Sequence, residues 1–127
     1  MTETDTDTAL LAVNEAFYDA FGTGDTAAMA SLWANDHPVA CIHPGAAPIL
    51  GREAVLQSWN AILQAQMRPD IQCLEPQALV LGKSGLVVCI ESLTGGHLAA
   101  TNGFVLEYGI WRMVHHQAGP LNRVMQR

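Results

Sequence analysis

Apolar positions along this chain change rhythm once. From Leu10 to Leu63 they recur at three- and four-residue steps, and from Ile71 onward they alternate. Leu10, Val13, Phe17 and Phe21 predict a first helix, capped by Thr6 or Asp7 and ended by Gly22 and Gly24. Asp25 is a good cap for a short second helix carrying Met29, Leu32 and Trp33, which Asn35-Asp36-His37-Pro38 breaks. A strand from Val39 to His43 and a loop from Pro44 to Pro48 follow. A third helix starts around Gly51, with Val55, Trp59, Ile62 and Leu63 on one face and Glu53 near its positive end. Beyond the Met67 to Asp70 connector, Ile71 to Leu81, Leu86 to Leu93, His97 to Glu107 and Ile110 to His116 predict four strands. Lys83-Ser84-Gly85, Thr94-Gly95-Gly96 and Tyr108-Gly109 are the turns between them. The tail is expected to fray from Gln117, and residues 1–7 and 121–127 to be flexible.

Helices first and a meander afterwards predict an α+β domain. Three N-terminal helices pack on a strongly curved, mostly antiparallel sheet, a cone shape with a central pocket. If Tyr108-Gly109 is a two-residue hairpin loop, Leu106 pairs with Trp111, Phe104 with Met113, and Asn102 with His115. Those six side chains share the more apolar face, which is assigned to the interior. A bulge would exchange His115 and His116. The opposite face carries Val105 and Val114 beside Arg112 and His116, and such a half-apolar surface suggests a second copy of the chain as partner.

At 127 residues the chain is read as one domain, and half its residues are hydrophobic, enough for a real core. The net charge of −6 and the scattered basic residues exclude a nucleic-acid partner. The acidic, Thr-rich start lacks the layout of a secretory signal, and no apolar run approaches a membrane span. Cys41, Cys73 and Cys89 have no metal-ligand spacing, which points to free thiols in a reducing cytoplasm.

The candidate chemistry centres on His43, an imidazole at the end of a short apolar strand, just before Pro44-Gly45. An apolar wall would lower its pKa and keep it neutral, able to accept a proton. The bland alternative is a strand-end histidine bonded to a loop carbonyl. Of His115 and His116 at most one enters the pocket, because adjacent strand residues face opposite ways. No compact motif joins His43, His115 and His37 or His97 into a metal site. A buried Asn102 amide would orient a substrate or a histidine, or tie down a neighbouring strand. Trp33, Trp59 and Trp111 read as core or pocket wall. Glu91, in an apolar strand, reads as paired or solvent-facing. Ser58 and Ser92 lack a nucleophile elbow.

The runs Gly24-Asp25, Leu32-Trp33-Ala34-Asn35-Asp36, His43-Pro44-Gly45 and Gly51-Arg52-Glu53-Ala54-Val55 resemble the ketosteroid isomerase and nuclear transport factor 2-like superfamily. The closing Trp111-Arg112-Met113-Val114-His115-His116, after Ala100-Thr101-Asn102, is similar to the last strands of SnoaL-like domains of unassigned activity. The resemblance covers Leu10 to about Pro120 and implies a cone-like, often dimeric fold. It places His43 where the steroid isomerases carry their carboxylate base, Phe17 where they carry a tyrosine, and Asn102 near their protonated aspartic acid. All three positions differ from that enzyme, so steroid isomerisation is not expected.

The expectation is therefore a cytoplasmic homodimer, paired through its outer sheet face, that holds a small apolar organic ligand. As an enzyme it would move a proton next to a carbonyl, in isomerisation, cyclisation or dehydration, with no cofactor. His43 is the base, Asn102 and His115 hold the oxyanion, and Phe17, Tyr18, Trp33, Trp59, Phe104, Trp111 and Met113 line the pocket. The alternative is a non-catalytic ligand-binding or assembly module.

Overall fold

The computed structural model describes residues 3–122, with side chains from Asp5 onward. Helix α1 (Glu3–Thr23) starts earlier than the Thr6 or Asp7 cap predicts, so the stretch from Glu3 to Asp7 is helical. The rest of the ends expected to be flexible, residues 1–2 and 123–127, lies outside the described residues. Leu10, Phe17 and Phe21 turn inward as expected, and Asn14 and Tyr18 are buried with them. A polar residue thus stands in an apolar stripe, a placement that requires a partner.

Helix α2 (Thr26–Leu32) begins where Asp25 accepts a hydrogen bond from the Ala28 N–H at 3.0 Å. Strand β1 (Ala40–Ile42) is followed by a two-residue strand, β2 (Ile49–Leu50), which lies at the end of the predicted loop. It was invisible to pattern because two residues cannot show a period. Helix α3 (Arg52–Leu63) buries Val55, Trp59 and Leu63, the predicted face. Arg68 staples the helix ends: its guanidinium donates to the carbonyls of Phe21, Gly22 and Leu63.

Strands β3 (Gln72–Leu81), β4 (Ser84–Leu93), β5 (Gly96–Glu107) and β6 (Ile110–Pro120) form the meander. The sheet has six strands in the order β2-β1-β6-β5-β4-β3, and β1 and β6 run parallel in an otherwise antiparallel set. The β3–β4 turn sits at Gly82-Lys83, where Gly82 takes φ +71°, and not at Lys83-Ser84-Gly85. Gly85 lies inside β4, where a Cβ would come within 2.6 Å of Leu10 Cδ1. Strand β6 does not fray at Gln117, because its last residues pair with β5 as far as Leu98 opposite Pro120.

The Tyr108-Gly109 hairpin is as expected, with positive φ at both residues and Glu107 opposite Ile110. The expected Asn102–His115 pair is not formed. A bulge beside Gly103 and Phe104 leaves Val114 unmatched, so Asn102 faces His116 and Gly103 faces His115. Every β6 residue beyond the bulge is thereby displaced by one, which turns His116 inward and leaves His115 half-buried on the other side.

The segment after α2 is held by one buried carboxylate. Glu107 accepts from the Asn35 and Asp36 N–H groups at 3.0 and 2.8 Å and meets His37 Nδ1 at 2.8 Å. Burial opposes its ionisation, but the His37 ring and the two backbone donors prevail and hold its pKa at about 2. The folded value lies below the unfolded one. The stability it contributes is therefore complete above about pH 4.5 and is lost as pH falls through about 2. Glu107→Gln is expected to flatten the acid limb of the stability profile in that window. Denaturant titrations of both proteins at several acid pH values check it, and parallel limbs would refute it.

Candidate functional site

A cavity of about 170 Å³ lies between α1, α3 and the sheet. Phe17, Tyr18 and Phe21 of α1, Trp59 and Ile62 of α3, and Ile71, Leu93 and Leu98 make its apolar wall. His43, Glu91 and His116 are the titratable side chains on it besides Tyr18. The indole of Trp59 stands edge-on to both histidine rings, with centroids 4.8 Å from His43 and 5.4 Å from His116.

His43 is placed by β1 and the turn that follows it. Strand β1 pairs in parallel with β6, Cys41 opposite His116, and alternation puts His43 on the face of Cys41. Pro44 and Gly45, with φ +74° at Gly45, close a turn in which the Ala46 N–H donates to the His43 carbonyl at 2.9 Å. The ring Nε2 lies 3.0 Å from Ser58 Oγ, whose own proton goes to the Val55 carbonyl at 2.7 Å. Nε2 therefore carries the hydrogen and Nδ1 keeps its lone pair. Burial lowers the His43 pKa, so the ring is neutral.

Glu91 and His116 are the two ends of one buried chain of hydrogen bonds. Tyr18 donates its single proton to Glu91 Oε2 at 2.7 Å. Asn102 Nδ2 donates to Tyr18 Oη at 3.2 Å and to Asn14 Oδ1 at 2.8 Å. Asn102 Oδ1 meets His116 Nδ1 at 2.6 Å, and an amide oxygen only accepts, so His116 Nδ1 carries the hydrogen. Asn14 reaches on to Cys73 Sγ at 3.6 Å, and Cys89 Sγ sits 3.2 Å from Tyr18 Oη. Burial lowers the His116 pKa to about 3, with the neighbouring His43 and His115 adding to the effect. Burial raises that of Glu91, against the Tyr18 hydrogen bond. Burial, with the nearby Glu91 carboxylate, also pushes Tyr18 far up, so it stays a neutral phenol.

The expected site residues are thus divided. His43, Phe17, Tyr18 and Trp59 line the cavity. Asn102 does not: its amide is spent on Asn14, Tyr18 and His116, behind the wall. His115 is turned away by the bulge, and His116 takes the inward place. Trp33, Phe104, Trp111 and Met113 are buried in the core and absent from the wall. Glu91, read from sequence as paired or solvent-facing, is both paired and on the wall. The available signal was a lone carboxylate in the apolar run Leu86 to Leu93. Among the described residues no three His, Cys, Asp or Glu side chains converge as a metal site. Cys41, Cys73 and Cys89 are unpaired thiols, and burial pushes Cys41 up to about 12, which keeps it unreactive.

Three helices on a six-stranded, mostly antiparallel sheet, with a cavity between them, define an α+β pocket domain of the nuclear transport factor 2-like class. Residues 10–121 match the model of the SnoaL-like domain, and the chain belongs to that family. It is 28% identical to a provisional dehydratase of the NTF2-like family from Streptomyces avermitilis, with a TM-score of 0.87 over 96% of this chain and 100% of that one. A provisional calcium/calmodulin-dependent protein kinase type II association domain from Thiobacillus denitrificans is 36% identical, with a TM-score of 0.78 over 88% of this chain and 94% of that one. Among curated proteins, the F-box protein SKIP8 of Arabidopsis thaliana is 31% identical over 112 residues, 87% of this chain. The chain spans 48% of the length of that relative. No helix among the described residues is long and apolar enough to cross a membrane.

Proposed function

We propose that this domain binds a small, largely apolar organic molecule in the cavity beside His43 and removes a proton from a carbon next to its carbonyl. On this reading the sheet wraps the helices as a cone around the site, and the reaction is an isomerisation, cyclisation or dehydration. The observation that carries the proposal is the convergence of His43, Glu91 and His116, with the Tyr18 phenol, on one largely apolar cavity. His43 is the base, since its Nδ1 carries the lone pair, met by the Cys41 thiol only at a long 3.9 Å, and its ring is kept neutral. The oxyanion role expected for Asn102 and His115 is given up, because neither side chain lines the cavity. Similarity to a provisional dehydratase supports this reaction class. At about 170 Å³ the cavity suits a single ring, since one of similar volume holds benzene.

A racemic β-hydroxy ketone of one ring, 3-hydroxycyclohexanone, is the natural probe. Exchange of the protons beside its carbonyl in heavy water, followed by NMR, reads the proton transfer. His43→Ala is expected to slow the protein-catalysed exchange by about 100-fold while the probe still binds, the size of a general-base contribution. Equal rates in both proteins would refute the catalytic role. The second reading, a non-catalytic binding or assembly module paired through the outer sheet face, would then stand. Likeness to a provisional kinase association domain favours that alternative.

A further inference from the structure

Hydrogen-bond direction narrows what the cavity accepts. Each proton in the buried chain is accounted for: Tyr18 Oη–H on Glu91, Asn102 Nδ2 on Tyr18 and Asn14, and His116 Nδ1–H on Asn102. The His43 Nε2–H is likewise taken up by Ser58. Among the described residues, two atoms of wall side chains are left without a protein hydrogen-bond partner, His116 Nε2 and Glu91 Oε1, while His43 Nδ1 meets the Cys41 thiol at 3.9 Å. All three are acceptors. One wall side chain holds an unpartnered donor, the indole N–H of Trp59, and it is covered by protein. The remaining described wall residues (phenylalanines, prolines, leucines and isoleucines) carry no side-chain donor.

Resting on the cavity reading above, we infer that the cavity selects a ring bearing a hydroxyl or N–H donor, which it binds against Glu91 and His116, and discriminates against a ring bearing only acceptors. A carbonyl oxygen entering this wall meets lone pairs and loses its hydration without replacement. A phenol or ring alcohol gives a hydrogen bond to an acceptor atom that has no protein partner, on a buried side chain. The polarity of the chain reinforces this: Tyr18 and Asn102 donate toward Glu91, while Asn102 takes the hydrogen of His116 and leaves Nε2 open. Selection of this kind is stronger than selection by shape, because the wrong ligand leaves polar groups of the site unsatisfied.

The test is a titration of the whole protein at about pH 8 with phenol, benzaldehyde and fluorobenzene, three one-ring probes that differ in donor and acceptor. Proton–nitrogen NMR reads the affinity, and the shift of the Trp59 indole signal reports entry into the cavity. Phenol is expected to bind at least about 10-fold more tightly than either of the others. Glu91→Gln keeps an acceptor for Tyr18 and adds an amide donor on the wall. It is expected to reduce the phenol-to-benzaldehyde preference by about 10-fold. Should that variant not fold, His116→Phe, which deletes Nε2, is expected to weaken phenol and leave fluorobenzene unchanged. Equal affinities, a preference for benzaldehyde, or a preference untouched in the variant that folds would overturn the inference while the cavity reading stands. If no probe moves the Trp59 signal, the cavity reading falls with it.

Discussion

Replacing Asn102 by leucine is expected to destabilise the fold by about 4 kcal/mol, the cost of orphaning several buried polar groups at once. Asn102 is fully buried, and its amide joins Asn14 and Tyr18 of α1 to His116 of β6. Leucine has nearly the same shape and can offer none of them. His116 Nδ1–H then loses its acceptor, and Asn14 Oδ1 loses its donor. Tyr18 Oη retains Cys89 and Glu91 as partners, so its loss is smaller. Two orphaned atoms at about 1–3 kcal/mol each set the scale. The midpoint of denaturant unfolding should fall with its slope unchanged. A loss under about 1 kcal/mol would show that the groups find other partners and that Asn102 is not their hub.

The same residue shows what pattern could and could not reveal. The order of helices and strands, the Asp25 cap and the Tyr108-Gly109 hairpin were legible because each is set by local chemistry: a period, a capping oxygen, a pair of residues at positive φ. The inward face of α1 was legible for the same reason, but the buried Asn14 within it was not, since a 3.6-residue period is scored on apolar positions alone. The register of β5 on β6 was correct from the hairpin back to Phe104–Met113 and failed one pair later. The bulge has no strong local signature. Gly103 is the available hint, because a Cβ there would stand 3.2 Å from His115 Cβ. One unmatched residue, Val114, then exchanged the two histidines and with them the composition of the site.

Position and role separate in a similar way for Glu91 and Asn102. In sequence, the amide near the end of a predicted inner face looked like a ligand group, and the carboxylate in an apolar strand looked like a surface or paired charge. In the structure the amide lies behind the wall, and the carboxylate is paired, as read, and lies on the wall as well. The reason is that a buried amide offers two donors and an acceptor at fixed angles, which suits a junction between three side chains, whereas a carboxylate fixed by a single tyrosine has an oxygen left over. Sequence spacing carries the face on which a side chain lies but not how many partners wait there.

Trp33→Ala is expected to cost about 4 kcal/mol of stability and to leave phenol affinity within about 2-fold, which separates core from wall among the aromatic residues. Trp33 is fully buried where α2 ends, and it bridges to Met113 while the next N–H, of Ala34, donates to the Met113 carbonyl at 2.9 Å. Its indole nitrogen has no hydrogen-bond partner, so truncation removes packing and no polar contact. The cost is then the lost transfer energy of the ring plus that of the void it leaves, about 3–5 kcal/mol for a buried tryptophan. The void opens beside β6 and the α2 terminus, away from His43 and Glu91, since Trp33 is absent from the residues that enclose the cavity. Trp59→Ala acts in the opposite sense: it removes the ring that both histidines pack against and enlarges the cavity itself, so phenol affinity falls with stability. Denaturant unfolding and the phenol titration, run on both variants, distinguish the two. A Trp33→Ala protein that keeps its stability but loses the phenol would relocate the binding site to the end of α2.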